Sequence, residues 1–228
     1  MHQTRSIRAA LVAVGLLLSL TFPVRANPLR LPPASSTDGY IARLLINEVT
    51  FPGEWGYRSE EDTKAAMEQM LLVLDGRLRR VPPPYLQRHI AATTTDNMFD
   101  VITAGGVRGQ FDGFYRDANG RPTAVPRVEK RIDRLLQIAN RGEPGRFFRL
   151  LTHASDLATN YAVKDIMIIN DRHAAITSAQ GATATGGSFS WMTDKERFHP
   201  GGNFLRIEDH RQGSLGGNRF FTLRREPR

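Results

Sequence analysis

No cysteine occurs anywhere in this chain of 228 residues. Disulfides and thiolate metal sites are excluded, so the fold must rest on its packed core alone. The length gives room for one substantial domain, or one domain with a small appendage. The stretch that organises the core is Asp38 to Ser59, DGYIARLLINEVTFPGEWGYRS. Its first half reads as a short helix with Ile41, Leu44 and Leu45 on one face, and the next position on that face is Glu48. Val49 and Phe51 follow, and Pro52-Gly53 stops the helix. An ionisable carboxyl thus stands where the periodicity asks for a core residue. Burial disfavours its charged form, and a carboxyl that keeps its proton near neutral pH suits general acid chemistry on a glycoside. The alternative is a frayed helix end with Glu48 in water.

Residues 1–26 read as a secretory signal peptide: Arg5 and Arg8 form a basic start, Ala9 to Phe22 an apolar core, and Val24-Arg25-Ala26 a cleavage site. The apolar core is short for a membrane span, and no later run is long enough to cross a bilayer. The expectation is a soluble exported protein, periplasmic or secreted. Removing the segment takes Arg5, Arg8 and Arg25 and no acid, lowering the formal charge from +8 to +5. That basic balance fits an encounter with a polyanion such as a wall polymer, lipopolysaccharide or nucleic acid, and equally fits plain solubility.

Residues 27–37, NPLRLPPASST, read as a linker, with Thr37 or Asp38 capping the first helix. The Gly- and aromatic-rich loop Phe51 to Arg58 leads to Ser59-Glu60-Glu61-Asp62, a capping pattern opening a helix to about Leu74. Ala66, Met67, Met70, Leu71 and Leu74 form its buried stripe, and Gly76 is its expected C′ residue. Short helices are expected over Tyr85 to Ala92 and Asp96 to Thr103, with a turn at Asn119-Gly120. Pro126 starts a helix to about Asn140, with Val128, Ile132, Leu135, Leu136 and Ala139 inward. A further helix covers Arg146 to Tyr161. Then the pattern changes: Asp165 to Asn170, Ser188 to Met192, Phe204 to Ile207 and Arg219 to Leu223 read as short strands, making a β-rich portion from about residue 163.

Several motifs fail on inspection. Gly181 to Ser188 has the spacing of a phosphate-binding loop, but Gly187 replaces the lysine, so no nucleotide is expected. Gly105-Gly106-Val107-Arg108-Gly109 lacks the surrounding strand–helix–strand pattern of a dinucleotide site. His89, His153, His173, His199 and His210 are scattered; His153 and Asp156 share a helical face but make at most half a metal site, and neither metal nor cofactor is expected. No G-x-S-x-G nucleophile and no interleaved basic–aromatic tract for nucleic acid occurs.

Five pieces in order do form a pattern: Ile46-Asn47-Glu48 at a helix end; Val73-Leu74-Asp75-Gly76-Arg77 closing the second helix; Gly109-Gln110-Phe111; Thr185-Gly186-Gly187-Ser188-Phe189; and Gly217-Asn218-Arg219-Phe220-Phe221. Together, over residues 38–225, they resemble the cell-wall hydrolase family typified by spore-cortex-lytic enzymes. The chain departs from that pattern in a longer Phe51–Glu61 loop, in Gly76 where Asn is usual, in Arg219 where His is usual, and in Asp112 after Gly-Gln-Phe. The resemblance implies an α+β, lysozyme-like fold, mainly helical with a small antiparallel sheet, over residues 38–228. It implies cleavage of peptidoglycan glycan strands, with Glu48 as catalytic acid. Two versions stand: a lytic transglycosylase that needs this one carboxyl, and a muramidase that needs a second carboxylate, for which Asp112 and Glu54 are the candidates. Gln110 is expected to hydrogen-bond the sugar, and Phe111, Phe114 and Tyr115 to line the cleft. Trp55, Tyr57 and Trp191 are expected to stack on pyranose faces. Asn203 and Asn218 are expected to stabilise turns, and Arg77 to pair with a buried acid, Glu48 among the candidates. The competing reading is a non-catalytic periplasmic protein that binds peptidoglycan or another polyanion.

Overall fold

The computed structural model describes residues 27–163, 178–179, 182–194, 199–209 and 213–226. The signal-like segment and the strand expected over 165–170 lie outside them. The architecture is mixed helix and sheet, with small antiparallel sheets. Six helices come first: α1 (Thr37–Glu48), α2 (Glu60–Arg79), α3 (Gln87–Ile90), α4 (Met98–Thr103), α5 (Pro126–Ala139) and α6 (Arg146–Val163). Between α4 and α5 lies a hairpin of β1 (Phe114–Arg116) and β2 (Pro122–Ala124). The Asn119-Gly120 turn forms as predicted, but the strands beside it do not stand out in the sequence, being three residues each.

Helix α1 is the axis of the core. Tyr40, Ile41, Leu44, Leu45 and Ile46 have no exposed surface at all, so the helix is wrapped on all sides rather than along one stripe. It packs most extensively on α6 and also on α2 and α5. Its N-cap is Ser36, one residue before the expected caps, because the Ser36 hydroxyl accepts the Gly39 N–H at 3.2 Å. The stretch expected to be a linker is docked instead. The Asn140 side chain holds Leu29 through both its N–H (2.7 Å) and its carbonyl (3.1 Å), and Arg43 donates to the Pro32 carbonyl at 2.7 Å.

Helix α2 starts where predicted, with Ser59 Oγ accepting the Asp62 N–H at 3.1 Å. It does not stop at Leu74. It runs through Gly76 to Arg79, and the physical reason is that its last turn finds partners. The amide of Gln87 donates to the carbonyls of Arg77 and Leu78 at 3.1 and 3.2 Å, satisfying groups a helix end leaves open. Asp75, fully buried, accepts from Arg80 at 2.5 Å and from the Tyr161 hydroxyl of α6 at 3.1 Å, and pairs with Arg79 at 3.4 Å. Those bonds outweigh the roughly 1 kcal/mol that a mid-helix glycine costs. At the other end Glu60 clamps α2 to α6 through Arg149, whose guanidinium lies 2.7 Å away.

The C-terminal part is a four-stranded antiparallel sheet built on β8 (Asn218–Leu223). β5 (Ser190–Thr193) pairs with β8 with Trp191 opposite Phe220, β6 (Phe204–Arg206) pairs with Leu205 opposite Thr222, and β7 (Ser214–Leu215) pairs with Ser214 opposite Arg219. A separate two-stranded ladder joins β3 (Ser178–Ala179) to β4 (Ala182–Thr183). The turn between β7 and β8 is Gly216-Gly217, with φ of +54° and +78°. Two positive φ values in succession mark the tight hairpin turn that only residues such as glycine adopt freely. The turn lodges between α1 and α2. A Cβ on Gly216 would lie 2.5 Å from the Cβ of Ala66, and one on Gly217 would lie 2.8 Å from the Thr50 methyl. The Gly216 N–H donates to the Asp62 carboxylate at 2.9 Å, fixing the sheet to the start of α2.

Gly216→Ala is expected to cost about 1–3 kcal/mol of stability, combining a forced left-handed backbone with the clash at Ala66. Urea denaturation followed by circular dichroism checks this; a change within about 0.5 kcal/mol contradicts the docking just described.

Candidate active site

Glu48 is the last residue of α1, and three elements distant in sequence meet around it. From β5, the Trp191 indole N–H donates to Glu48 Oε2 at 3.1 Å. From β8, the Asn218 amide donates to the Glu48 backbone carbonyl at 2.7 Å. The neighbouring Asn47 amide donates to Oε1 at 3.1 Å. From α5, Arg131 donates to the carbonyls of Ile46 (2.5 Å) and Val49 (3.0 Å), covering the end of a helix that has no basic residue in its own last turn. The Arg131 guanidinium also lies over the Phe51 ring, 5.5 Å from its centroid.

Glu48 is half-buried, and its pKa is raised. Burial is the chief cause, because it penalises the carboxylate more than the acid. The negative charge of Asp112 pushes the same way. The hydrogen bonds from Trp191 and Asn47 and the positive charge of Arg131 oppose the rise without cancelling it. The C-terminal end of a helix also carries partial negative charge, which disfavours a carboxylate there.

Behind Trp191 lies a stack. The indole packs on Phe111 at 4.9 Å between ring centroids and an interplanar angle of 28°. The Arg77 guanidinium lies on the same Phe111 ring at 5.2 Å. Arg77 is buried, donating to the Phe189 carbonyl at 2.7 Å, to Ser190 Oγ at 3.3 Å and to the Gln110 side-chain oxygen. Burial lowers its pKa to about 9. Arg77 does not pair with Glu48, so the cation that would have pulled the Glu48 pKa down is spent on neutral oxygens.

Other candidates from the sequence fall elsewhere. Phe114 is fully buried and meets Tyr40 edge-on at 5.5 Å, so it is core and not cleft. Phe111 is buried between Arg77 and Trp191 and presents no open face. Trp191 is only 8% exposed, so its indole orients Glu48 and does not offer a stacking platform. Gln110 spends its carbonyl oxygen on Arg77, because that buried guanidinium needs acceptors. Tyr115 is half-buried in β1, and its backbone carbonyl accepts from the Tyr40 hydroxyl at 3.4 Å. Tyr57 packs partly against the core. Trp55, 61% exposed, is the one large aromatic of the set that stands open for stacking.

Both candidate second carboxylates are engaged by arginine. Asp112 is exposed and pairs with Arg127 at 2.5 Å. Glu54 accepts the Phe51 N–H at 2.8 Å and pairs with Arg131 at 2.7 Å, closing the loop after α1. His153 faces Glu68 at 3.8 Å rather than forming a ligand pair with Asp156, and among the described residues no group of three His, Asp or Glu could hold a metal ion. No helix among the described residues is long and apolar enough to cross a membrane.

Sequence reasoning singled out Glu48, and assigned Asn218 only to its turn, where it also bonds the Gly216 carbonyl at 3.2 Å. It missed Arg131 altogether, since a lone arginine on the polar face of an amphipathic helix carries no signal of what it reaches. Comparison with protein families, with curated proteins and with solved structures finds no match for this chain.

Trp191→Phe and Arg131→Gln are each expected to raise the Glu48 pKa further, since each removes a group that favours the carboxylate; carbon-detected NMR titration of the side-chain carboxyl reads this, and a fall in either variant contradicts the assignment. Folding should follow in step. The folded chain holds the Glu48 proton more tightly than the unfolded chain does, so this residue's contribution to stability declines as pH rises from about 4.5 through the raised pKa. In Glu48→Gln that decline should vanish from a pH series of denaturation midpoints.

Proposed function

We propose that this chain cleaves the glycan strands of peptidoglycan, with Glu48 as the acid and then the base, on a lysozyme-like arrangement of helices and sheet. The observation that carries the proposal is a single one: a half-buried carboxyl at the end of the central helix, its pKa raised by burial, oriented by an indole N–H. The substrate class comes from the resemblance over residues 38–225, and the basic balance of the chain fits a wall polymer outside the cytoplasm, where residues 1–26 would direct it.

In the reaction, protonated Glu48 gives its proton to the glycosidic oxygen between N-acetylmuramic acid and N-acetylglucosamine as positive charge develops at the anomeric carbon. The 2-acetamido oxygen of the muramic residue closes on that carbon as the glycosidic C–O bond breaks, and the N-acetylglucosamine leaves as the alcohol carrying the Glu48 proton. The Glu48 carboxylate then takes the proton from the muramic 6-hydroxyl, whose oxygen displaces the acetamido oxygen from the anomeric carbon to form a 1,6-anhydro sugar with its 2-acetamido group restored. One carboxyl serves both steps and is returned protonated. The transglycosylase version is favoured over the hydrolytic one because Asp112 and Glu54, the candidates for activating water, are both ion-paired with arginine. Trp55, exposed in the loop that follows Glu48, is the aromatic that would stack on a sugar ring in this reading.

Digestion of purified sacculi followed by mass spectrometry tests this. The expected products end in anhydromuramic acid, one water lighter than reducing ends. Glu48→Gln is expected to lose cleavage by about 10²- to 10⁴-fold while still sedimenting with sacculi. Binding without cleavage by the unmodified protein would replace the enzyme reading with that of an attachment protein.

A further inference from the structure

Arg131 also lines a cavity of about 610 Å³ that Glu48 does not line. Its size falls in the range of small-molecule sites. One wall is apolar: the half-buried Phe147 and Ile138 face the cavity, with the buried Phe51, stacked on Phe147 at 5.9 Å and 21°, and the buried Leu135 packed behind them. Another is cationic: Lys130, Arg131 and Arg134, at helical spacings that share one face of α5. Glu54 is the one acid in the lining, and its charge is matched by Arg131. That leaves Lys130 and Arg134 as two cations without a hydrogen-bond or ion-pair partner among the described residues, beside an aromatic wall.

We propose that this cavity is a binding site for a small organic anion with an apolar or aromatic body. The anionic head, a carboxylate or phosphate, is held by Lys130 and Arg134, and the body lies against Phe147 and Ile138. A guanidinium and an ammonium side by side suit such a head, because both donate charge-assisted hydrogen bonds to its oxygens. The apolar wall adds the selectivity that charge lacks, since a bare inorganic ion leaves that wall uncovered. The site stands whether or not Glu48 cuts glycan.

The probes are phenyl phosphate, benzoate and inorganic phosphate, titrated into the full chain near physiological salt and followed by amide and aromatic NMR. Phenyl phosphate and benzoate are expected to shift Phe147 and α5 signals saturably, and inorganic phosphate to bind at least about tenfold more weakly. Lys130→Ala/Arg134→Ala is expected to weaken phenyl phosphate about tenfold or more, with Arg134→Gln as the gentler variant should the double one misfold. Arg121→Ala/Arg141→Ala removes two exposed cations outside this cavity and should leave binding unchanged. Absence of saturable shifts, equal binding of inorganic phosphate, or equal loss in the control variant each overturns the proposal.

Discussion

A helix enclosed on every side ends among other protein groups and not in water, and its last carbonyls must find donors there. Helix α1 meets this demand with two side chains from elsewhere, Arg131 on the Ile46 and Val49 carbonyls and Asn218 on the Glu48 carbonyl. The requirement explains why α5 and β8 converge on this one point. It also explains why Glu48 is held in place: its backbone is fixed by Asn218, its carboxyl by Trp191 and Asn47. The position of the Glu48 carboxyl follows from a structural need to close a buried helix.

Arg77 is the second constraint. A buried guanidinium is costly unless its donors are used, and here the acceptors are a backbone carbonyl, a hydroxyl and an amide oxygen. Through them one side chain ties α2 to the strand leading into β5 and to the Gly109-Gln110-Phe111 turn, and the Phe111 ring between Arg77 and Trp191 completes the link to the acid. Lysine is no substitute in such a place, because the flat fork that serves three acceptors at once and stacks on a ring is particular to arginine.

Much of the helical framework is legible in the residues. The apolar stripes of α1, α2, α5 and α6 have the period of a buried helical face, and Pro126 and Ser59 mark their starts as the chemistry of helix ends requires. Glu48 stands out for the same reason, being a carboxyl in an apolar register. Illegible is whatever depends on contacts far along the chain. Gly76 looks like a stop signal and is overruled by Gln87 and the Asp75 network. Trp191 looks like a sugar platform, yet its exposure is decided by Phe111, 80 positions earlier. Residues 27–37, rich in Pro and Ser, look like a linker, and nothing local tells that Asn140 grips Leu29.

The turn at Gly216-Gly217 has a bearing on when the acid comes into being. The indole and the amide that clothe Glu48 lie 143 and 170 positions beyond it. While the chain is being made, the residues of the central helix exist long before either partner does. Only when the last hairpin seats itself against the first two helices can the Asn218 amide close the Glu48 backbone carbonyl. A chain interrupted short of that hairpin carries the Glu48 carboxyl without the bond that fixes its backbone.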